Sequence, residues 1–300
     1  MLAVETMEPL VRLSKDLKKA AVQLSDREAR YLVDLYYQVQ DYRKSSNNQI
    51  MSMSEDGEPV GLFGWVSGNL EMLEGDIRRA LASYADGQKP GVWAQTVCGI
   101  GPVIAAGLLA HIDITQAPTV GHIWRFAGLD PTVKWETKTK RPWNAALKVL
   151  CWKIGESFVK VSNNAKDVYG HVYAERKAQE AERNEAGQFA EQAAAALSGK
   201  RYGADTVARK WYEQGKLPPA HIHARAKRYT VKLFLASYHE VVYYCEYGTM
   251  PPKPYILTQP GHVHWRMAPN AELVPGLSEA QEAARQGFMR GLLSEGGEGE

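Results

Sequence analysis

Apolar residues recur at helical spacing through most of the chain. Between residues 9 and 44 they fall at Leu10, Leu13, Leu17, Ala21 and Leu24, then at Ala29, Leu32, Leu35, Tyr36 and Val39. This predicts two helices, the second capped by Ser25-Asp26. The polar interval 45–59 either extends the second helix or loops out. A third helix is predicted over residues 61–84, with Leu62, Trp65, Leu70, Leu73, Ile77 and Leu81 on one face. Three successive amphipathic helices with no catalytic spacing predict a bundle-like or coiled-coil-like scaffold over residues 1–90, suited to homodimerisation.

After Asp86-Gly87-Gln88-Lys89-Pro90 the apolar segments shorten. A helix over residues 92–97 leads through Cys98-Gly99-Ile100-Gly101 into a second helix over 102–110. Pro102 opens that helix at the position where proline is best tolerated. Further helices are predicted over 120–127, 143–162, 168–183, 188–198, 205–213 and 221–247, with no internal repeat. The fold class is therefore all-α, with a second, helix-hairpin-helix-containing domain over residues 91–250. Residues 251–300, proline-rich and then acidic, are expected to be a largely flexible tail, with a short helix over 278–293.

Charge changes this picture only when divided by segment. The chain holds 36 Lys+Arg against 34 Asp+Glu, which excludes a uniformly basic packaging protein and an acidic disordered one. Residues 121–169, however, hold nine basic and four acidic residues, and residues 200–232 hold nine and two. Residues 1–90, 170–199 and 271–300 carry the compensating acid. Two basic stretches predict contact with a polyanion; the alternative is an ordinary solvated helical surface. The three cysteines, Cys98, Cys151 and Cys245, stand apart in sequence and form no CxxC pair, as expected of a reducing compartment. Glu5 and Glu8 stand where a secretory signal carries basic residues, and no apolar run reaches the ~18 residues of a membrane span. A cytoplasmic protein without membrane contact is expected.

Gly99-Ile100-Gly101-Pro102 between two apolar helices has the form of a helix-hairpin-helix. Its glycines permit a sharp turn and close approach, and the N–H groups at the start of the next helix suit a phosphate. The alternative is a tight packing corner assisted by Ala105, Ala106 and Gly107. Downstream, Lys134, Lys138, Lys140 and Arg141 interleave with Trp135 and Trp143, so cations can neutralise phosphate while indoles stack on unpaired bases. A solvated hairpin whose tryptophans fold back onto the core is the other reading. Arg225, Lys227, Arg228 and Lys232 crowd the first half of the helix over 221–247. Positive charge opposes the dipole there, which points to an anionic partner. The candidate nucleic-acid-binding residues are therefore Gly99, Ile100, Gly101, Lys134, Trp135, Lys138, Lys140, Arg141, Arg225, Lys227 and Arg228.

Cys98 to Ala106, Leu108-Leu109-Ala110 and Phe126-Ala127-Gly128-Leu129-Asp130-Pro131, followed by a basic loop and a long helix, resemble the C-terminal domain of certain insertion-sequence transposases. Those enzymes pair this domain with an N-terminal RuvC-like DEDD nuclease domain. The likeness covers residues 93–245, about half the chain. It implies a domain that binds DNA and guide RNA and supplies a serine nucleophile just after the Gly-Leu-x-Pro turn. This chain departs from that pattern, since no Ser occurs between Gly121 and Glu156 and the corresponding stretch reads Trp135-Glu136-Thr137-Lys138. Residues 1–90 read as helices rather than the apolar strands that carry the first carboxylate of a RuvC-like fold. The resemblance implies a DNA-binding relative without the cleavage machinery, of a kind found in phage or mobile elements.

Thr137 and Asp113 are the catalytic candidates, Asp113 doubling as a turn residue before Thr115-Gln116-Ala117-Pro118. His221, His223, His239, Cys245, His262 and His264 are metal-ligand types, but His-x-His on a helix points its rings apart and no CxxC or HExxH accompanies it, so no metal site is expected. No cofactor is expected; a monovalent cation at the hairpin, or magnesium, is compatible with the pattern without being called for. The reading is a protein that binds DNA backbone, or branched or single-stranded DNA, with RNA as a further ligand. Its rivals are a transposase- or recombinase-type subunit and a protein-interaction adaptor whose hairpin is structural.

Overall fold

The computed structural model describes residues 19–203, 205–252 and 266–295. The predicted helix before residue 19, together with Pro254, Pro260, His262, His264 and the terminal Gly296 to Glu300, lies outside the described residues. Helices account for the regular structure and no strand occurs among the described residues, so the chain is all-α as its periodicity predicts. It divides into two compact units, one of residues 1–96 and 100–113 and the other of 97–99 and 114–300. The chain crosses between the units after residues 96, 99 and 113.

In the first unit, α1 (Asp26–Glu55) begins with a capping box, in which Ser25 and Glu28 bond each other's backbone N–H groups. The polar interval extends this helix to Glu55, because nothing between Ser45 and Ser54 is a glycine or proline that would stop it. α2 (Gly61–Asp86) returns antiparallel, burying Ile77, Ala80, Leu81, Tyr84 and Ala85 at helical spacing. Tyr84 near its end donates to Asp26 at the start of α1 at 2.7 Å, and Arg43 pairs with Glu74 at 2.6 Å farther along the helix pair. α3 (Lys89–Thr96) buries Trp93 completely. α4 (Pro102–His111) is apolar on every side and packs against both α1 and α2, as an all-round hydrophobic helix must.

His111 closes α4 at 8% exposure, and its Nδ1 has no hydrogen-bond partner among the described residues. Burial, with a smaller contribution from Arg30, lowers its pKa from 6.5 to about 4. Between those values the unfolded chain binds the proton and the folded chain does not, so stability is complete above pH 6.5 and is lost as pH falls toward 4. The share due to His111 amounts to roughly 3 kcal/mol across that interval. Urea unfolding at successive pH values should show this slope, and His111→Leu should flatten it by that amount. An unchanged slope in the variant would contradict the assignment.

The second unit comprises α5 (Val120–Phe126), α6 (Ala145–Val161), α7 (Tyr169–Glu185), α8 (Ala190–Gly199), α9 (Val207–Glu213), α10 (Pro219–Tyr247) and α11 (Leu277–Glu295). α6 starts where the Asn144 side chain accepts from Leu147 N–H at 2.9 Å. α10 is its axis: Pro219 fits the first turn, and Gly248 in the left-handed region ends it. Phe158 of α6, Tyr169 of α7 and Phe234 of α10 form a ring cluster with centroids 5.0–5.4 Å apart. Residues 266–295 include buried positions where the sequence predicts a largely flexible tail. Ala268, Ala271, Val274 and Leu277 are buried, and Gln281 and the Ala268 N–H bond the buried Glu240 carboxyl of α10. Small apolar residues there provide a docking contact that proline content conceals.

Candidate nucleic-acid interface

The Gly99–Gly101 turn is asymmetric. Gly99 has φ +91°, and a Cβ there would lie 3.2 Å from Val161, 3.3 Å from Ser157 Oγ and 3.4 Å from Phe158, all on α6. Ser157 Oγ donates to the Gly99 carbonyl. Ile100 is buried. Gly101 is exposed, has extended backbone at φ −91°, ψ 175°, and caps α4 ahead of Pro102 with open space around its Cα. Of the three predicted hairpin contacts, Gly101 is exposed, Gly99 half-buried and Ile100 buried. Gly99→Ala should therefore cost about 1–2 kcal/mol of stability through strain at positive φ. Gly101→Ala should cost under about 1 kcal/mol, since its extended backbone suits alanine and offsets the weaker cap. Denaturant unfolding of the two variants checks the contrast.

The basic loop is built from its ends inward. Gly128, at φ +65°, lets the chain leave α5, with the Trp143 ring 2.9 Å from where a Cβ would stand. Asp130 accepts from Thr132 N–H and Oγ1 at 2.9 and 2.7 Å, and those bonds hold its pKa below the usual carboxylate range. The Glu136 carbonyl accepts from Thr139 N–H and Oγ1, closing a turn in which Lys138 takes φ +73°. Trp135 donates its indole N–H to the Thr139 carbonyl at 2.9 Å, and the Arg141 guanidinium stands 5.1 Å from its ring centroid. Trp135 is 43% exposed, whereas Trp143 is half-buried under Lys148, so one tryptophan fits each of the two sequence readings. Lys134, Lys138, Lys140 and Arg141 are exposed and use none of the ion pairs among the described residues. Thr137 sits exposed in this turn. Asp113 belongs to the other unit, exposed just before the short 3-10 turn Ile114–Gln116.

The basic start of α10 divides by direction. Arg225 faces inward, its Nε 2.6 Å from Glu180, its Nη1 3.1 Å from Gln192 and its guanidinium 4.4 Å from the Phe189 ring centroid. Lys227 pairs with Glu156. Arg228 carries no ion pair among the described residues, and desolvation, with Arg225 nearby, lowers its pKa. Lys232 lies 4.3 Å from the Trp124 ring centroid, while the Trp124 indole donates to the Lys232 carbonyl at 3.0 Å. Lys227 and Arg228 meet the Gly128–Pro131 turn around an open pocket of about 420 Å³. α6 supplies Lys148, Cys151 and Trp152 to it. The Cys151 thiol is buried and pushed up to about 12, so it packs rather than reacts. Trp152 and Lys148 are missing from the sequence-derived site, although their spacing of four on a predicted helix places them on one face.

The remaining ligand types are held by the fold. His239 Nε2 donates to the Ala117 carbonyl at 2.8 Å, and His223 Nδ1 shares a 2.6 Å hydrogen bond with the Tyr173 hydroxyl. Burial lowers the pKa of His221, His223 and His239. Among the described residues no three His, Cys, Asp or Glu side chains gather as metal ligands, and no helix is long and apolar enough to cross a membrane.

Residues 93–161, which include the turn at Gly99, the Gly128–Pro131 turn, the basic loop and all of α6, match the model of the Transposase IS116/IS110/IS902 family. No curated protein matches the chain. No solved structure matches it.

Proposed function

We propose that the region over residues 91–250 binds the nucleic-acid backbone, DNA in the first place, in a transposition-related process of a phage or mobile element. The observation that carries this reading is the loop over 134–141, which holds four exposed cations free of ion pairs and an exposed Trp135, with Arg141 against its ring. The family match over residues 93–161 supports the setting. Gly101 is the hairpin member that presents backbone to a phosphate, with Gly99 and Ile100 shaping the turn. Lys227 and Arg228 extend the footprint, and Arg225 positions α10. Binding of this kind reads backbone rather than sequence and depends steeply on salt. A gel-shift panel of linear duplex, branched DNA, single-stranded DNA and RNA over a salt series tests it. Retention that weakens by orders of magnitude from low to moderate salt supports the reading, and absence of retention on all four ligands refutes it.

The same match favours a second reading, a transposase- or recombinase-type subunit that cleaves DNA. Incubation with magnesium and branched DNA, comparing the wild type with Thr137→Ala and Asp113→Ala, separates it from simple binding. Self-association through residues 1–90 is part of the proposal, since Tyr31, Tyr42, Met51 and Leu62 are each at least 60% exposed. Sedimentation equilibrium measures it.

A further inference from the structure

The pocket between the Gly128–Pro131 turn, α6 and α10 is not explained by backbone binding alone. Trp152 stands on its rim at 56% exposure, a large indole that most folds would cover. The Lys153 and Lys227 ammonium groups lie 5.9 and 5.8 Å from its ring centroid. Lys148 and Arg228 add positive charge to the lining and outnumber its one carboxylate, the ionised Asp130, while Lys227 is paired with Glu156. The floor is apolar, from Leu129, Cys151, Ala224 and Val231. At about 420 Å³ the space falls within the range of small-ligand pockets. An aromatic platform beside cations, above an apolar floor, matches a planar base with its phosphate.

The geometry points to a subsite for one unstacked nucleotide of a single strand, its base against Trp152 and its phosphate held by Arg228 with Lys148. This inference rests on the nucleic-acid reading and deepens it. Bases inside a duplex are stacked on each other and cannot reach the indole, so the pocket selects strands with an unpaired base. It thereby adds to the cations and Trp135 of the loop over 134–141 a second aromatic platform, and with it a preference for single-stranded or locally opened sites.

The test uses the full chain with labelled oligonucleotides of about 12 nucleotides, as single-stranded DNA, as single-stranded RNA and as paired duplex. Fluorescence anisotropy is followed for the wild type, Trp152→Ala, Trp152→Phe and Arg228→Ala, each checked for helicity by circular dichroism. Trp152→Ala is expected to weaken single-strand binding about tenfold or more, with Trp152→Phe retaining most of the affinity. Duplex binding should change by less than about twofold. Arg228→Ala should reduce the single-strand salt slope by about 0.7, the value for one phosphate. A larger loss on DNA or on RNA names the strand that the pocket takes. A folded Trp152→Ala that binds single strands as the wild type does, or that loses duplex equally, overturns the subsite while leaving backbone binding intact. A wild type that binds none of the probes overturns both.

Discussion

Glu180→Gln is expected to destabilise the second unit by about 3–5 kcal/mol, the range for breaking a buried ion pair from one side. The Glu180 side chain is 1% exposed and faces three arginines: Arg225 at 2.6 Å, Arg183 at 3.6 Å and Arg176. Burial opposes its ionisation, but the Arg225 hydrogen bond and the charges of Arg176 and Arg225 outweigh burial and hold its pKa below the ordinary glutamate value. Removing the carboxylate leaves three guanidinium groups converging on one another with no counter-charge. Urea unfolding monitored by circular dichroism should show the midpoint fall with little change in slope. A loss below about 1 kcal/mol would mean that the arginines relax into solvent and that the cluster contributes no more than a surface pair. Arg225→Ala should weaken stability in the same direction. At matched folded fraction it should leave nucleic-acid affinity within about twofold, the mark of a residue that stabilises the fold without touching the nucleic acid.

Arg225 also shows where sequence reasoning stops. Its charge and its place in the basic first half of a helix are legible, and both suggested an anionic partner. The anion it meets is Glu180, 45 residues earlier and on another helix, which no local pattern connects to it. Helix periodicity, by contrast, is local, so the all-α fold, the Ser25 cap and the proline opening of α4 follow from neighbouring residues alone. The loop over 134–141 was legible for a related reason: a run without apolar periodicity has no buried face, and its lysines stay in solvent. Trp152 is not legible as a site residue in the sequence, because an aromatic within an amphipathic helix is ordinarily core. Only the packing of α10 against α6 leaves that position on a pocket rim. Gly99 and Gly101 look equivalent in sequence and are not, since one packs on Ser157 and Phe158 while the other meets open space.

Replacing Lys134, Lys138, Lys140 and Arg141 together by alanine is expected to reduce nucleic-acid affinity about a hundredfold or more at moderate salt. Each cation that holds one phosphate contributes about 0.9 to the slope of log affinity against log salt on duplex DNA, so loss of all four should reduce that slope by roughly 3 to 4. Because these side chains are exposed and unpaired, unfolding free energy should stay within about 0.5 kcal/mol of the wild type. The loop should keep its shape, since its turn depends on the Glu136 carbonyl, Thr139 and the Trp135 indole rather than on the lysines. Four substitutions that leave stability alone and remove binding would thus stand opposite one substitution at Glu180 that removes stability. A salt slope unchanged in the fourfold variant would assign the loop to solvent and move the interface to Arg228, Lys148 and the α6 face.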